Sequence, residues 1–410
     1  MLAQKYIILS SFKNASLNDI GSGYIREFTK HGAIFIDYED LYLKIGSKNV
    51  LKYISDIIDA KGIEVLIYQA APSDFHFSVE LFQLLKEKVF TVMTLGDTDQ
   101  HFYLKDIYYA QCMDLVVVYD PLSRCRFKQY EVEAITFNSS FDKKKYFKIP
   151  EVEKKNDVSF VGKVLYKNNR KEYIDYIIQN GTWVEIFGEG SKNGPVSLEK
   201  MVETFNKTKI NLSFTGISTR NVVRNEPNIN LKLRQMKGRS TEIALCGGFV
   251  LSEYAPGIEE VFDIYNEIAI FYSKEELIEK INYYLKHEGE REAMATAGYE
   301  RALKDYEIST AIPRLINQIE EIRKRKIYKP IQIYLDNQFI KFYTTFRVAM
   351  LLQFIRSRKW RLAYEELEII LKNRKLDFYV TVKYLLNISP RLKEFLKYTL
   401  RYLSSAFHQH

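Results

Sequence analysis

Short apolar runs alternate with amphipathic helical stretches along most of this chain. That alternation constrains the fold more than any other feature. The runs KYIILSS (5–11), AIFIDY (33–38), EVLIYQA (64–70), VFTVMTL (89–95), LVVVYD (115–120) and AITF (134–137) are each nearly continuous in apolar residues. Such runs suit strands of a parallel sheet that is covered on both faces. Between them lie helical segments such as NVLKYISDIIDAKG (49–62) and SVELFQLLKEK (78–88). The first ends in a glycine, as a helix C-cap requires. Strands alternating with helices predict a doubly wound α/β domain over 1–150.

The pattern then restarts. DVSFVG (157–162), WVEIFGEG (183–190), KINLSF (209–214), GFVLSE (248–253) and IAIFYS (268–273) read as strands. Helical segments run over 169–181, 197–207, 240–248 and 273–289, and the last continues to 306. Ser273 stands three residues before Glu276, a capping box. The charged stretch DKKKYFKIPEVEKKND (142–157) reads as a linker between two halves. The expected fold class is α/β: two tandem Rossmann-like domains, 1–150 and 151–325, with a helical segment over 326–410. Open sheets of this kind bind ligands beyond the carboxyl ends of their strands.

Charge marks the last boundary. Residues 331–410 carry 14 basic and 6 acidic side chains, while the first 330 balance at 46 of each. The whole net charge of +8 therefore belongs to the last eighty residues. Within them FRVAMLLQFIRSRKWRL (346–362) mixes basic and aromatic residues at helical spacing. Such a segment suits an anionic membrane surface. It equally suits a helical subdomain that packs on the body or on a second copy in a homodimer. A nucleic-acid partner is disfavoured, since the body is neutral and no nucleic-acid motif is present.

Several classes are excluded. No Gly-x-Gly-x-x-Gly follows the first strand, which argues against a dehydrogenase. Cys112, Cys125 and Cys246 are too few and scattered for a disulfide framework or a zinc site. They fit a reducing, cytoplasmic compartment. MLAQKYIILSSF lacks a cleavage signature and reads as a first strand. No run of about 18 apolar residues is present, so no spanning segment is expected.

The most informative stretch is RSTEIALCGGFVLSEYAPGIEEVF (239–262). A helix beginning here would point its N-terminus, at Arg239 and Ser240, into the cleft. Free N–H groups and the positive end of the dipole suit phosphate there. The Arg239 fork matches a diphosphate. Glu242 lies one turn on, on the same face, where a carboxylate can accept two ribose hydroxyls. The alternative is a surface i,i+3 ion pair.

The order of elements in this stretch resembles the C-terminal domain of GT-B glycosyltransferases. It is most similar to the CgeB-like branch of the family-1 type, through Arg239–Glu242, Gly247–Gly248, Pro256, Gly257, Glu259, Glu260 and Phe262. The resemblance is strong over 157–306, looser over 1–150 and absent from 331–410. It implies transfer of a sugar from a nucleotide-diphosphate donor, with a UDP-sugar first among candidates. The implied acceptor is a glycan, a lipid-linked molecule or a protein, and neither cofactor nor metal is implied. By position, Glu242 would hold the ribose, and Arg239 and Ser240 would face the diphosphate. Lys163 and Arg170 would add phosphate contacts, and Gly257, Glu259 and Glu260 would form a loop at the donor sugar. Gly188 and Gly190 would line the cleft, unless they only turn the chain at a strand end. Arg170 alternatively pairs or caps on its own helix. One departure stands out: the wider group's retaining members carry a glutamate eight residues before the ribose-binding one, and here that position is Arg234.

On the acceptor side, TLGDTDQHF (94–102) follows a strand. Asp97 is the candidate general base, with Asp99 and His101 beside it. The alternative is that Asp97 or Asp99 caps a helix over 101–111. Gly21 and Gly23 form either a phosphate loop or a plain turn. A sugar-nucleotide epimerase on the same fold is the rival reaction.

Overall fold

Among the described residues, two parallel sheets organise the chain, one six-stranded and one five-stranded. The structure is a computed structural model. It describes residues 3–11, 19–69, 71, 74–96, 98, 101–164, 168–216, 234–326, 333–376 and 381.

The first domain runs β1 (Tyr6–Ser10), α1 (Asp19–Lys30), β2 (Ile34–Asp37), α2 (Tyr38–Ile45), α3 (Ser47–Lys61), β3 (Val65–Gln69), α4 (Val79–Lys86) and β4 (Phe90–Leu95). A π-helical turn (Phe102–Asp106), α5 (Ile107–Ala110), β5 (Leu115–Val118), α6 (Pro121–Gln129) and β6 (Ala134–Thr136) complete it. The second domain runs β7 (Asn156–Val161), α7 (Asn168–Gln179), β8 (Val184–Phe187), α8 (Leu198–Lys207), β9 (Thr208–Ser213) and α9 (Arg239–Leu245). It continues with β10 (Val250–Glu253), a 3-10 turn (Ile258–Glu260), β11 (Ala269–Phe271), α10 (Lys274–Lys286) and α11 (Glu288–Asp305). Three helices follow: α12 (Ile308–Lys324), α13 (Asn337–Arg356) and α14 (Trp360–Asn373).

The first sheet has the order β2-β1-β3-β4-β5-β6, and the second β11-β10-β9-β7-β8. Every strand pairing within these two sheets is parallel, in registers such as Ile7 opposite Ile34 and Leu251 opposite Ala269. Both faces of the first sheet are buried. Ile7, Leu9, Leu66 and Met93 face one core, while Tyr6, Ile8, Val65 and Ile67 face the other. Double burial is why these strands read as continuous apolar runs. Side-chain caps fix the helix starts: Ser78 on α4, Ser197 on α8 and Ser273 on α10. The Gly21–Gly23 segment lies inside α1, with neither residue at positive φ, so it forms neither a phosphate loop nor a turn.

After α11 the chain crosses back. Ile308, Ile312, Leu315, Ile316 and Ile319 of α12 pack into the first domain against Tyr6, Ile8, Tyr24 and Phe28. The boundary expected at 325 grouped this helix with the second domain, whereas its apolar face is buried on the first sheet. At the crossing, the Phe141 N–H bonds to the Tyr306 carbonyl at 3.0 Å, and the Ile308 N–H to the Phe141 carbonyl at 3.0 Å. The outgoing linker and the returning chain thus form one two-stranded hinge.

The described part of the tail is no separate appendage. Phe339, Phe342, Phe346, Met350 and Phe354 of α13, with Leu362 of α14, are buried in the core on the other face of the first sheet. The apolar stripe expected to meet a membrane, through Phe346, Met350, Phe354 and Leu362, is therefore covered by the body. A buried polar knot ties the same helices down. Arg347 reaches the Tyr42 hydroxyl and donates to the His76 carbonyl at 2.9 Å, and Glu366 accepts from Tyr42. Among the described residues, no helix is long and apolar enough to cross a membrane.

Candidate active site

In the second sheet β7 lies between β8 and β9, so the winding reverses there. Such a switch point opens a crevice beyond the strand ends. Arg170, on the helix that follows β7, spans it. One guanidinium nitrogen donates to the Lys163 carbonyl after β7 at 3.0 Å, and another reaches the Phe214 carbonyl after β9 at 3.4 Å. The group lies 5.6 Å from the Phe160 ring centroid. Arg170 is only 8% exposed, and its Nε has no partner among the described residues. Burial pulls its pKa down to about 10, Arg239 adds to the fall, and Glu253 opposes it. A buried guanidinium with a spare donor at a crevice suits an anion.

Glu253 ends β10 and is buried. One carboxylate oxygen accepts from the Thr215 N–H at 2.9 Å, the Gly216 N–H at 3.1 Å and the Thr215 hydroxyl at 3.2 Å. The other meets Arg234 Nε at 2.6 Å. Glu253 therefore anchors the chain after β9, and Arg234 is placed by that carboxylate. The position where the wider group has a glutamate here carries the opposite charge, with its own buried counter-ion.

α9 begins beside these residues. Ser240 is buried, and its hydroxyl meets the Ser213 hydroxyl at 3.1 Å, at the end of β9. Arg239 and Glu242 form the i,i+3 ion pair at 2.5 Å. The guanidinium also lies 2.7 Å from Met201 Sδ and 5.5 Å from the Phe205 ring centroid. The Tyr146 hydroxyl donates to Glu242 at 3.3 Å. Lys163 is exposed and pairs with Glu189 at 2.9 Å. Gly188 has φ of 127°, and a Cβ there would stand 2.1 Å from the Gly162 carbonyl oxygen. Only glycine lets the chain ends after β7 and β8 approach so closely.

The loop after β10 faces the first domain. Gly257 has φ of 89°, and a Cβ there would lie 2.5 Å from Pro121 Cβ at the start of α6. Arg124 on α6 makes two hydrogen bonds to Glu260, at 2.9 and 2.8 Å. Asp120, which caps α6, accepts from the Met236 N–H at 3.4 Å. Glu259 is exposed beside the Tyr254 hydroxyl. The turn expected at the donor sugar thus packs on Pro121, and the Glu260 carboxylate is engaged by Arg124.

On the acceptor side, Asp97 and Asp99 lie outside the described residues. His101 precedes the π-helical turn without capping it through its side chain. The surrounding loops hold buried charges. Asp74 and the His76 ring meet at 2.5 Å, Lys105 donates to the Ala71 carbonyl at 2.6 Å, and Thr98 donates to Asp106 at 2.6 Å. Burial raises Asp106 and lowers Lys105. Among the described residues, no group of three or more His, Cys, Asp or Glu is placed to hold a metal.

Residues 160–317 match the family model described as glycosyl transferase-like. The chain carries a GT-B glycosyltransferase domain. It is accordingly a transferase. Comparison with curated proteins finds no matching sequence. Solved structures share the fold over most of its length. HepE from Anabaena, solved with UDP and glucose, is 13% identical, covers 77% of this chain and 99% of its own, and aligns with a TM-score of 0.53. Sucrose-phosphate synthase from Thermosynechococcus elongatus is 8% identical, with coverages of 77% and 99% and a TM-score of 0.53. A glycosyltransferase from Rickettsia africae is 10% identical, with coverages of 78% and 99% and a TM-score of 0.52.

In this glycosyltransferase, Arg170 spans the second sheet's switch point, Arg239 lies near enough to lower its pKa and pairs with Glu242, and Lys163 is exposed after β7. Gly257 and Glu260 serve the contact between domains. Glu253 was missed in the sequence, although a signal exists: it is a lone carboxylate closing an apolar strand, the same cue that singled out Asp97. Arg124 and the Asp74–His76 pair carry no such cue.

Proposed function

We propose that this glycosyltransferase moves a sugar from a nucleoside-diphosphate donor, UDP-sugar first among candidates, to a hydroxyl of a glycan, lipid-linked or protein acceptor. The observation that carries the reading is Arg170 across the switch point of the second sheet, with its free Nε beside Arg239 and the start of α9. Basic groups fixed in a partly dry crevice stabilise the charge that develops on a departing diphosphate. Arg170 and Arg239 take that role, Lys163 adds a mobile charge at the rim, and Ser240 contributes through its backbone. Glu242, already held by Arg239 and Tyr146, turns its carboxylate to the ribose hydroxyls. HepE's complexes with UDP and with UDP-glucose support the same donor chemistry here. Asp97, two residues after the end of β4 in the sequence, is the proposed base for the acceptor hydroxyl.

The test is calorimetric titration with UDP, GDP, dTDP and CMP. UDP is expected to bind most tightly. Glu242→Ala is expected to weaken it by about 1–3 kcal/mol, the scale of a lost hydrogen bond to a charged group, in a protein that stays folded. Absence of nucleoside-diphosphate binding, or unchanged affinity in the folded variant, overturns the assignment. Sugar transfer to a trial acceptor, as opposed to epimerisation of the free donor, separates the reaction from its rival.

A further inference from the structure

We propose that the exposed face of α14 docks on an anionic bilayer surface. α14 has two apolar faces. Leu362 and Ala363 pack on the first domain. The other face stays open: Trp360 is 65% exposed, Tyr364 62%, Leu367 38% and Leu371 59%. Their spacing of four, three and four residues sets them in one stripe along the helix. Scattered exposed apolar residues need no explanation, but a continuous stripe marks a contact surface.

The charge around the stripe identifies the partner. Arg356, Arg358 and Arg361 are exposed at one end, and Lys372 and Arg374 at the other. The acids of the helix are buried or paired, and Glu365 meets Arg361 at 3.8 Å. Glu365 and Glu366 are buried, and Glu368 pairs with Lys48 at 2.5 Å. A stripe of Trp, Tyr and Leu between basic ends matches a headgroup region, where aromatic rings sit at the interface and basic residues meet anionic lipid. A nucleic acid would use the basic and aromatic groups but would leave Leu367 and Leu371 without a role. Lys359 Nζ donates to the Leu43 carbonyl at 2.6 Å beneath the helix start, which ties α14 to the first domain. Because α14 packs on the first domain, docking holds that domain at the bilayer. The proposal stands apart from the transfer reaction, and its test reads membrane binding with no nucleotide present.

The experiment is flotation of the full chain with vesicles of equal parts phosphatidylglycerol and phosphatidylcholine, and with phosphatidylcholine alone. Binding to the anionic vesicles is expected, with release by salt. Arg358→Gln, Arg361→Gln and Lys372→Gln together are expected to weaken it roughly a hundredfold, about fivefold per charge. Trp360→Ser with Tyr364→Ser should weaken it as well, without loss of fold by circular dichroism. The chain holds two tryptophans, so Trp183→Phe leaves Trp360 as the sole reporter. Its emission is expected to shift to the blue when anionic vesicles are added. Failure to float, or floating with unshifted emission, overturns the proposal. So does Trp360 emission that is blue-shifted and shielded from iodide before vesicles are added, since another part of the chain or a second copy then covers the face.

Discussion

Arg124 of the first domain grips Glu260 of the second through two parallel hydrogen bonds, 2.9 and 2.8 Å long. The pair joins the same two segments as the contact of Gly257 with Pro121 at the start of α6. Both side chains are partly open to solvent, so the pair is worth only about 0.2–1 kcal/mol. A double-mutant cycle with Arg124→Glu and Glu260→Arg, read by urea denaturation, is expected to give a coupling in that range. The exchanged pair should recover most of what either single change loses, and salt should reduce the coupling. Simple additivity of the two changes would show that the clasp contributes nothing.

Glu253 is the stronger anchor, because it is buried and satisfies two backbone N–H groups. Glu253→Ala is expected to lower stability by about 1–3 kcal/mol, the cost of leaving those donors without an acceptor. Glu253→Gln keeps one acceptor oxygen and should lose less. Equal losses in the two variants, measured by chemical denaturation, would remove the assigned role.

The tail is expected to be indispensable to the fold. A chain ending at Lys329 would strip Phe339, Phe342, Phe346, Met350 and Phe354 from the core of the first domain. Loss of cooperative thermal unfolding and strong binding of a hydrophobic dye are the expected outcomes. Phe354→Ala alone should cost about 3–5 kcal/mol, as for other buried aromatic residues. A truncated chain that melts as sharply as the full one would contradict this.

Asp74 gives a pH dependence with a definite sign. Burial alone would raise its pKa, but His76 and Lys105 outweigh burial and hold it below the usual carboxylate range. A depressed folded-state pKa stabilises above the unfolded value, near about 3.9. That stabilisation is lost as the pH falls through the folded value. The stability gap between the wild type and Asp74→Asn should therefore be widest near neutrality and shrink progressively below about pH 4. A gap that stays constant into acid would exclude the ionised carboxylate as its source.

Thiol chemistry checks the two cores. Burial pushes the Cys112 and Cys246 thiols up to about 12, while Cys125 is exposed. A thiol reagent at neutral pH is expected to label Cys125 alone in the native protein and all three after denaturation. Prompt native labelling of Cys246 would show that the core beneath α9 opens.

The sequence by itself determined the strands, their parallel sheets and the repeat of one architecture, because a strand buried on both faces must be apolar along its length. It also placed Arg239 and Glu242 on one helical face, since one turn of helix fixes that relation. Contacts between distant segments were decided only by the tertiary structure. Glu253 became an anchor because β10 lies beside β9, so that its carboxylate reaches Thr215. Arg124 found Glu260 across 136 positions of chain, and neither residue carries a local mark of the other. α12 reads as a helix in either domain, and the hinge returned it to the first sheet. α14 is apolar on two faces, and periodicity cannot say which one the body covers. Packing against the first domain took Leu362 and Ala363 and left Trp360, Tyr364, Leu367 and Leu371 facing outward. Local pattern fixes what an element is, whereas the burial of surface between remote elements fixes where each of its faces goes.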